Sequence, residues 1–269
     1  MSERTLLAGP WIGEFGYELC QWQGIVRREA AKHDRTIVVT YPSHEGMYRD
    51  FTQDVRPLPD WFLAGHFEPD GLAVHGDTAK ALRQRLREWI QEIPHTTWLR
   101  PQSTNVPCAQ QTWADWRGAG PVDPRLIVLV TRHRALATFR NWRPANWKTL
   151  GQAMEDMGYQ VQYADCDWDQ SLDLFGRCAL AAGASTGGMH LASLCQCPHY
   201  VWGQMDLHIR IGGGYTLSER YTQRWNPFRA PVLCGNLGWQ PSVNQVLNGI
   251  LQSLRRIGRP QHKHAPCSP

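Results

Sequence analysis

No apolar run in the 269 residues reaches the roughly eighteen that a membrane-spanning helix needs, so none is expected. The mean hydropathy of −0.46 agrees. The opening Met1-Ser2-Glu3-Arg4 leads into only a short apolar run before Trp11, which is unlike a secretion signal, and a cytoplasmic protein is expected. Metal-binding spacing is missing too. Cys195-Gln196-Cys197 is the only close pair among eight cysteines, and no second pair completes a zinc site. Without a secretion signal the cysteines at 20, 108, 166, 178, 195, 197, 234 and 267 read as core thiols. No solenoid-type repeat occurs. What is present is a 42% hydrophobic fraction and 13 Trp, enough to bury a core and exclude a disordered chain. The length suits one large domain or two medium ones.

Charge of one sign is absent from an informative place. No acid lies between Arg125 and Lys148, a stretch that holds Arg132, Arg134, Arg140 and Arg143. Residues 1–120 carry 13 basic and 15 acidic side chains, and residues 121–269 carry 15 and 9. A polyanionic partner in the second half follows: a nucleotide diphosphate, a nucleic acid or an anionic glycan.

The element pattern is α/β in both halves. Thr5 to Ala8 reads as a strand, Tyr17 to Lys32 as a helix and Arg35 to Tyr41 as a second strand, the opening of a βαβ unit. Residues 43–76 read as irregular, and 77–93 as a helix with a solvated face of Lys80, Arg83 and Arg87. Dense Pro and Gly over 94–124 mark a boundary near residue 120. The second half restarts with the apolar run RLIVLVT at 125–131, a helix over 145–157, strands at 159–164 and 180–184, and short helices at 171–178 and 189–196. A strand at 199–202 and an amphipathic helix from Val243 to Leu254 complete it, and the tail from 259 reads as mobile. The reading is two Rossmann-like domains, 1–120 and 121–258, facing a cleft.

Four segments suit chemistry. In Ala184-Ser185-Thr186-Gly187-Gly188-Met189-His190 a short strand runs through hydroxyls and glycines into a helix, an arrangement that offers backbone N–H groups and a positive helix end to a phosphate. Arg132, Arg134 and Arg140 follow a strand's carboxyl end, with Trp142 beside them for stacking. In Gly9-Pro10-Trp11-Ile12-Gly13-Glu14-Phe15-Gly16-Tyr17-Glu18, Glu14 is a candidate general base with Glu18 as its competitor, and Trp11 is a stacking candidate. The run from Arg220 to Phe228 is basic and aromatic, with Arg224 and Trp225 suited to stacking on a nucleotide, or it is a packed loop; Gly212 to Gly214 before it read as a flexible gate.

RLIVLVTRHR, RNWRPANWKTL and above all GASTGGMHLASLCQCPHYVWG resemble GT-B glycosyltransferases of the heptosyltransferase-like and fucosyltransferase-like branches. The likeness covers about residues 125–203 well and the first half in outline. It implies a nucleotide-sugar co-substrate, UDP- or GDP-linked, and no metal. By position, Arg132, Arg134, Arg140, Ser185, Thr186, Gly187, Gly188 and His190 hold the donor, and Glu14 is the base of an inverting displacement, where a heptosyltransferase carries Asp. The acceptor reading leans to hydroxymethylated bases in phage DNA. A bacterial surface glycan or lipopolysaccharide is the alternative, beside a non-catalytic binding module and a sugar-nucleotide epimerase.

Overall fold

The computed structural model describes residues 3–64, 77–101, 110–118, 120–134, 137–165, 167–204 and 215–257. The Gly212–Gly214 gate, the tail from 259, and Cys108, Cys166 and Cys267 lie outside them. The chain forms two compact units: Met1–Asp115 with Cys166–Ser171, and Trp116–Asp165 with Leu172–Pro269.

The first unit is a parallel sheet in the order β3-β2-β1-β4, made of β1 (Thr5–Ala8), β2 (Arg35–Thr40), β3 (Asp54–Pro57) and β4 (Thr97–Leu99). Leu6 and Leu7 of β1 and Ile37 to Val39 of β2 are at most 1% exposed, as expected where a parallel sheet is covered on both faces. The helix after β1 starts as α1 (Phe15–Tyr17), widens into a π-helical turn over Glu18–Trp22, and continues as α2 (Gln23–Ala30). Residues 43–76, expected to be irregular, contain β3, a 3₁₀ turn over Pro42–Met47 and α3 (Asp60–Leu63). β3 escapes a pattern search because DVRP is short, polar and half exposed at the sheet edge. The helix α4 (Asp77–Gln91) follows.

The second unit carries the order β6-β5-β7-β8-β9, again all parallel, from β5 (Asp123–Val130), β6 (Gln160–Ala164), β7 (Cys178–Ala184), β8 (His199–Gly203) and β9 (Val232–Asn236). Its helices are α5 (Pro144–Asp156), α6 (Trp168–Arg177, whose residues up to Ser171 belong to the first unit), α7 (Gly187–Leu194), α8 (Leu217–Glu219) and α9 (Val243–Ile257), with a second π-helical turn over Arg220–Arg224. Renumbered within the unit, the strand order is 2-1-3-4-5, whose direction reverses between β5 and β7. β7 is built of small residues because α7 lies directly on it: a Cβ at Gly183 would sit 2.8 Å from Met189 Sδ and 2.9 Å from Val130 O.

The core of this unit joins Ile127, Leu129, Leu150, Leu180, Tyr200, Val246 and Ile250 to three tryptophans. Trp142, Trp147 and Trp202 pack with ring centroids 4.9 to 5.5 Å apart. Trp142 is 1% exposed and donates its Nε1–H to Pro241 O at 2.8 Å. Its place in a basic loop made it a stacking candidate, and the structure corrects that: both ring faces belong to the core. Four of the described cysteines (20, 178, 195 and 197) are buried and Cys234 is half-buried, with Cys178 and Cys197 sulfurs 3.2 Å apart. No described helix is long and apolar enough to cross a membrane.

Candidate functional site

Open α/β sheets bind ligands outside the carboxyl ends of their strands, where the strand order reverses. In the second unit that place lies between the loops after β5 and β7. Two of the segments singled out by sequence meet there. Arg140 donates from Nη2 to Ser185 O at 2.6 Å and stacks 4.5 Å over the Trp239 ring, tying the β5 loop to the end of β7. Arg132 is 4% exposed and turned into its own loop, bonded to Ala137 O at 3.1 Å and to Asn141 Oδ1. Arg134 accepts at its carbonyl from Asn141 Nδ2 at 2.7 Å. Arg132 and Arg140 therefore frame the site by shaping its loops.

The floor of the site is the start of α7. Thr186 is its N-cap, in extended conformation, yet makes no side-chain cap bond, and its buried Oγ1 has no partner. A threonine here ordinarily accepts from an N–H of the first turn, as Thr216 does for Glu219 at α8. Leaving α7 uncapped keeps its first-turn donors and positive end available to an anion. Gly188 is required by packing: a Cβ there would meet Val130 Cγ1 at 2.8 Å.

His190, in the first turn of α7, is 5% exposed and has no partner for Nδ1. Tyr221 stacks on it at 4.2 Å and Trp225 meets it edge-on at 4.9 Å. Tyr221 in turn donates toward Ser185 Oγ and Thr186 O, both at 3.3 Å. Burial, then the charges of Arg220, His199 and Arg140, push the His190 pKa well below the usual 6.5, so the ring is neutral.

Arg220 is the residue that sequence reading passed over in favour of Arg224 and Trp225. It is 5% exposed, its Nε is buried without a partner, and no acid pairs with it among the described residues. Its charge reaches His190. A buried guanidinium without a counter-ion costs several kcal/mol, roughly, unless something else neutralises it. The only sequence signal was its position at the head of RYTQRW. Arg224 instead covers the Tyr215 ring at 4.8 Å, and Trp225, 4% exposed, is enclosed against His190 with no open face for a base.

In the first unit, Glu14 of the β1 loop stands at the N-cap position of α1, makes no side-chain cap bond and is half-buried. That loop is shaped by Gly9, whose φ is +120° and where a Cβ would sit 2.5 Å from Val39 O, so no side chain fits. Trp11 is 9% exposed and stacks on Trp22 at 5.8 Å, so it too belongs to the core. Glu18 is fully buried, and its carboxylate holds Thr40 Oγ1 at 2.5 Å, Tyr48 OH at 2.7 Å and His44 Nδ1 at 2.5 Å. With both oxygens engaged and no solvent contact, Glu18 has no route to a substrate hydroxyl of its own. His44 was not singled out by sequence, where it sat in a stretch read as irregular.

A cavity of about 510 Å³ opens at the other, amino end of the second sheet, lined by Phe175, Cys178, Cys197, Phe228, Leu254 and Ile257 among others. It is mainly apolar, with Arg117 and Arg229 in its lining, and contains none of the groups at the start of α7.

No protein-family profile matches this sequence, and no curated protein matches it. Solved structures do. A family 9 glycosyl transferase from Veillonella parvula aligns over 94% of this chain and 97% of its own, at 11% identity and a TM-score of 0.51. The ADP-heptose lipopolysaccharide heptosyltransferase II of E. coli aligns over 94% and 99%, at 13% identity and a TM-score of 0.45. The two parallel-sheet units thus have the GT-B-like α/β fold of the family 9 glycosyl transferase.

Proposed function

We propose that this protein is a glycosyltransferase that moves a sugar from a nucleoside diphosphate sugar to a hydroxyl acceptor. The observation that carries the reading is the buried Arg220, which no acid among the described residues pairs, together with the partnerless Nδ1 of His190 at the uncapped start of α7. A fold retains an uncompensated buried cation where an anion completes it. A diphosphate fits: N–H groups of Gly187 and Gly188, the Thr186 hydroxyl and the Arg220 fork all donate, and neutral His190 adds one N–H. Ser185, Arg132, Arg134 and Arg140 hold the surrounding loops. The donor is UDP- or GDP-linked in this reading.

Chemically, the same donors stabilise the negative charge that grows on the departing diphosphate, which is where electrostatic catalysis acts. Direct displacement by the acceptor hydroxyl then inverts the anomeric centre. The required base belongs to the first unit, where Glu14 and the Glu18–His44 pair stand at the carboxyl ends of β1 and β2.

For the acceptor, a glycan hydroxyl is favoured over a DNA base. Of the arginines that drew attention to a polymer, Arg132 and Arg220 are buried and Arg140 is bound to Ser185 O, while Arg125 and Arg143 stay exposed. Trp11, Trp142 and Trp225 are enclosed as well, which leaves none of them as a platform for an extruded base. The likeness in fold to a family 9 glycosyl transferase agrees with glycosyl transfer.

The test is a screen of nucleotide sugars, with and without glycan or hydroxymethylated-DNA acceptors, reading released nucleotide. Release that requires a glycan acceptor supports the reading. Release that requires DNA moves the acceptor assignment. Epimerised donor, or binding without turnover, sinks the transferase reading.

A further inference from the structure

We propose that His44, oriented by Glu18, is the general base of the first unit and takes the proton from the acceptor hydroxyl. This deepens the transferase reading and rests on it.

Glu18 Oε1 accepts from Thr40 Oγ1 at 2.5 Å and from Tyr48 OH at 2.7 Å, so that oxygen is fully occupied by hydroxyl donors. Its Oε2 lies 2.5 Å from His44 Nδ1. A carboxylate only accepts, so Nδ1 carries the hydrogen and Nε2 carries the lone pair. The Nε2 atom has no hydrogen-bond partner among the described residues. Burial of the Tyr48 phenol, reinforced by the Glu18 charge, raises its pKa well above 10, so it stays a donor to Glu18.

A buried carboxylate that fixes one ring nitrogen and leaves the other as acceptor is the orienting arrangement of acid–base histidines. Here it arises from long-range packing. Glu18 heads the π-helical turn after the β1 loop, and π-helical turns recur at functional sites. His44 lies in the 3₁₀ turn that follows β2. β1 and β2 are paired and parallel, so both groups stand at the same carboxyl end of the first sheet. Phe15, next to Glu14, packs on the imidazole at 5.0 Å, and Tyr41 meets it edge-on at 5.3 Å. The groups facing His44 are thus the Glu18 carboxylate, those two rings and, beyond Glu18, Tyr48 and the Arg27 guanidinium that acts on Tyr48. Its neighbour Glu45 is paired with Arg49 at 3.9 Å.

In the step, the acceptor O–H proton passes to Nε2. The oxygen's electron pair forms the new bond to the anomeric carbon. The bond from that carbon to the diphosphate oxygen breaks, and its electron pair leaves with the nucleoside diphosphate. Imidazolium forms beside the Glu18 carboxylate, which stabilises it. His44 is the catalytic residue and Glu18 a positioning residue.

The test compares wild type with His44→Gln, Glu18→Gln and Glu14→Gln for turnover at saturating donor and acceptor, with thermal melts to confirm folding. A lost general base costs on the order of 10²–10⁴-fold in rate. That loss is expected for His44→Gln, with nucleoside diphosphate affinity retained. Glu18→Gln should lower turnover less and loosen the Nδ1–H tautomer of His44 seen by nitrogen NMR, a change that a packing defect does not produce. Nitrogen NMR of ¹⁵N-histidine-labelled wild type should show His44 protonated on Nδ1 and bare on Nε2; the opposite tautomer overturns the proposal without any activity assay. Transfer by wild type together with turnover of His44→Gln within threefold of it overturns the base assignment alone. A wild type that transfers no sugar defeats the transferase reading and this proposal with it.

Discussion

Replacing Arg220 by Met should move stability and anion affinity in opposite directions. In the ligand-free protein the guanidinium is 5% exposed, with a partnerless Nε and no paired acid among the described residues. Replacing buried charged groups by apolar side chains of similar volume often gains about 1–4 kcal/mol. In a unit of this size each kcal/mol raises the melting temperature by about 2–4 °C. Binding changes the other way. A charge-assisted hydrogen bond contributes about 1.5–3 kcal/mol, so losing it weakens a diphosphate by roughly 10–150-fold. Scanning calorimetry of the free proteins and titration calorimetry with pyrophosphate and a nucleoside diphosphate measure both quantities. Arg220→Lys keeps the charge but not the fork and should fall between. A Met variant that melts lower and binds the diphosphate as tightly as wild type would refute the reasoning, since Arg220 would then be a structural residue.

Two further outcomes follow from buried groups. Burial depresses the His199 pKa from 6.5 to about 4, while its ring nitrogens engage Cys197 O at 2.8 Å and Ser193 Oγ at 3.1 Å; His190 is shifted in the same direction. The unfolded chain therefore binds more protons below pH 6.5, and stability is lost as pH falls from about 6.5 toward 4, by roughly 3 kcal/mol from His199 alone. Denaturant midpoints across that range should show the loss, and His199→Gln should flatten it. Trp142→Ala should destabilise by about 3–5 kcal/mol as a core deletion; a stacking residue would instead lose nucleotide affinity at unchanged stability, and the same melts and titrations separate the two.

The parts of the fold legible in the sequence are those whose pattern is local. IVLV of β5, the small residues of β7 and the amphipathic α9 each announce their burial through composition or period, and the STGG turn into α7 announces a helix start. β3 and β9 were missed because each is short, and β9 carries Gly235, which packs under Tyr200 where a Cβ would meet the hydroxyl at 2.4 Å. Side-chain roles were legible only where chain neighbours decide them. Glu18 was read as a free competitor of Glu14, yet its partners Thr40, His44 and Tyr48 lie 22 to 30 residues away. Trp142 looked like a loop residue, but its fate is decided by Trp202 and Pro241, far along the chain. The isolation of Arg220 depends on which acids fail to reach it, and no sequence window reports that.

The most direct test of the account is a crystal structure of the protein with a nucleoside diphosphate bound. The account predicts diphosphate oxygens within hydrogen-bond distance of the Gly187 and Gly188 N–H groups, the Thr186 hydroxyl and the Arg220 guanidinium, with His190 beneath them. A diphosphate seated in the apolar cavity at the amino end of the second sheet, or one that leaves Arg220 uncontacted, would contradict it.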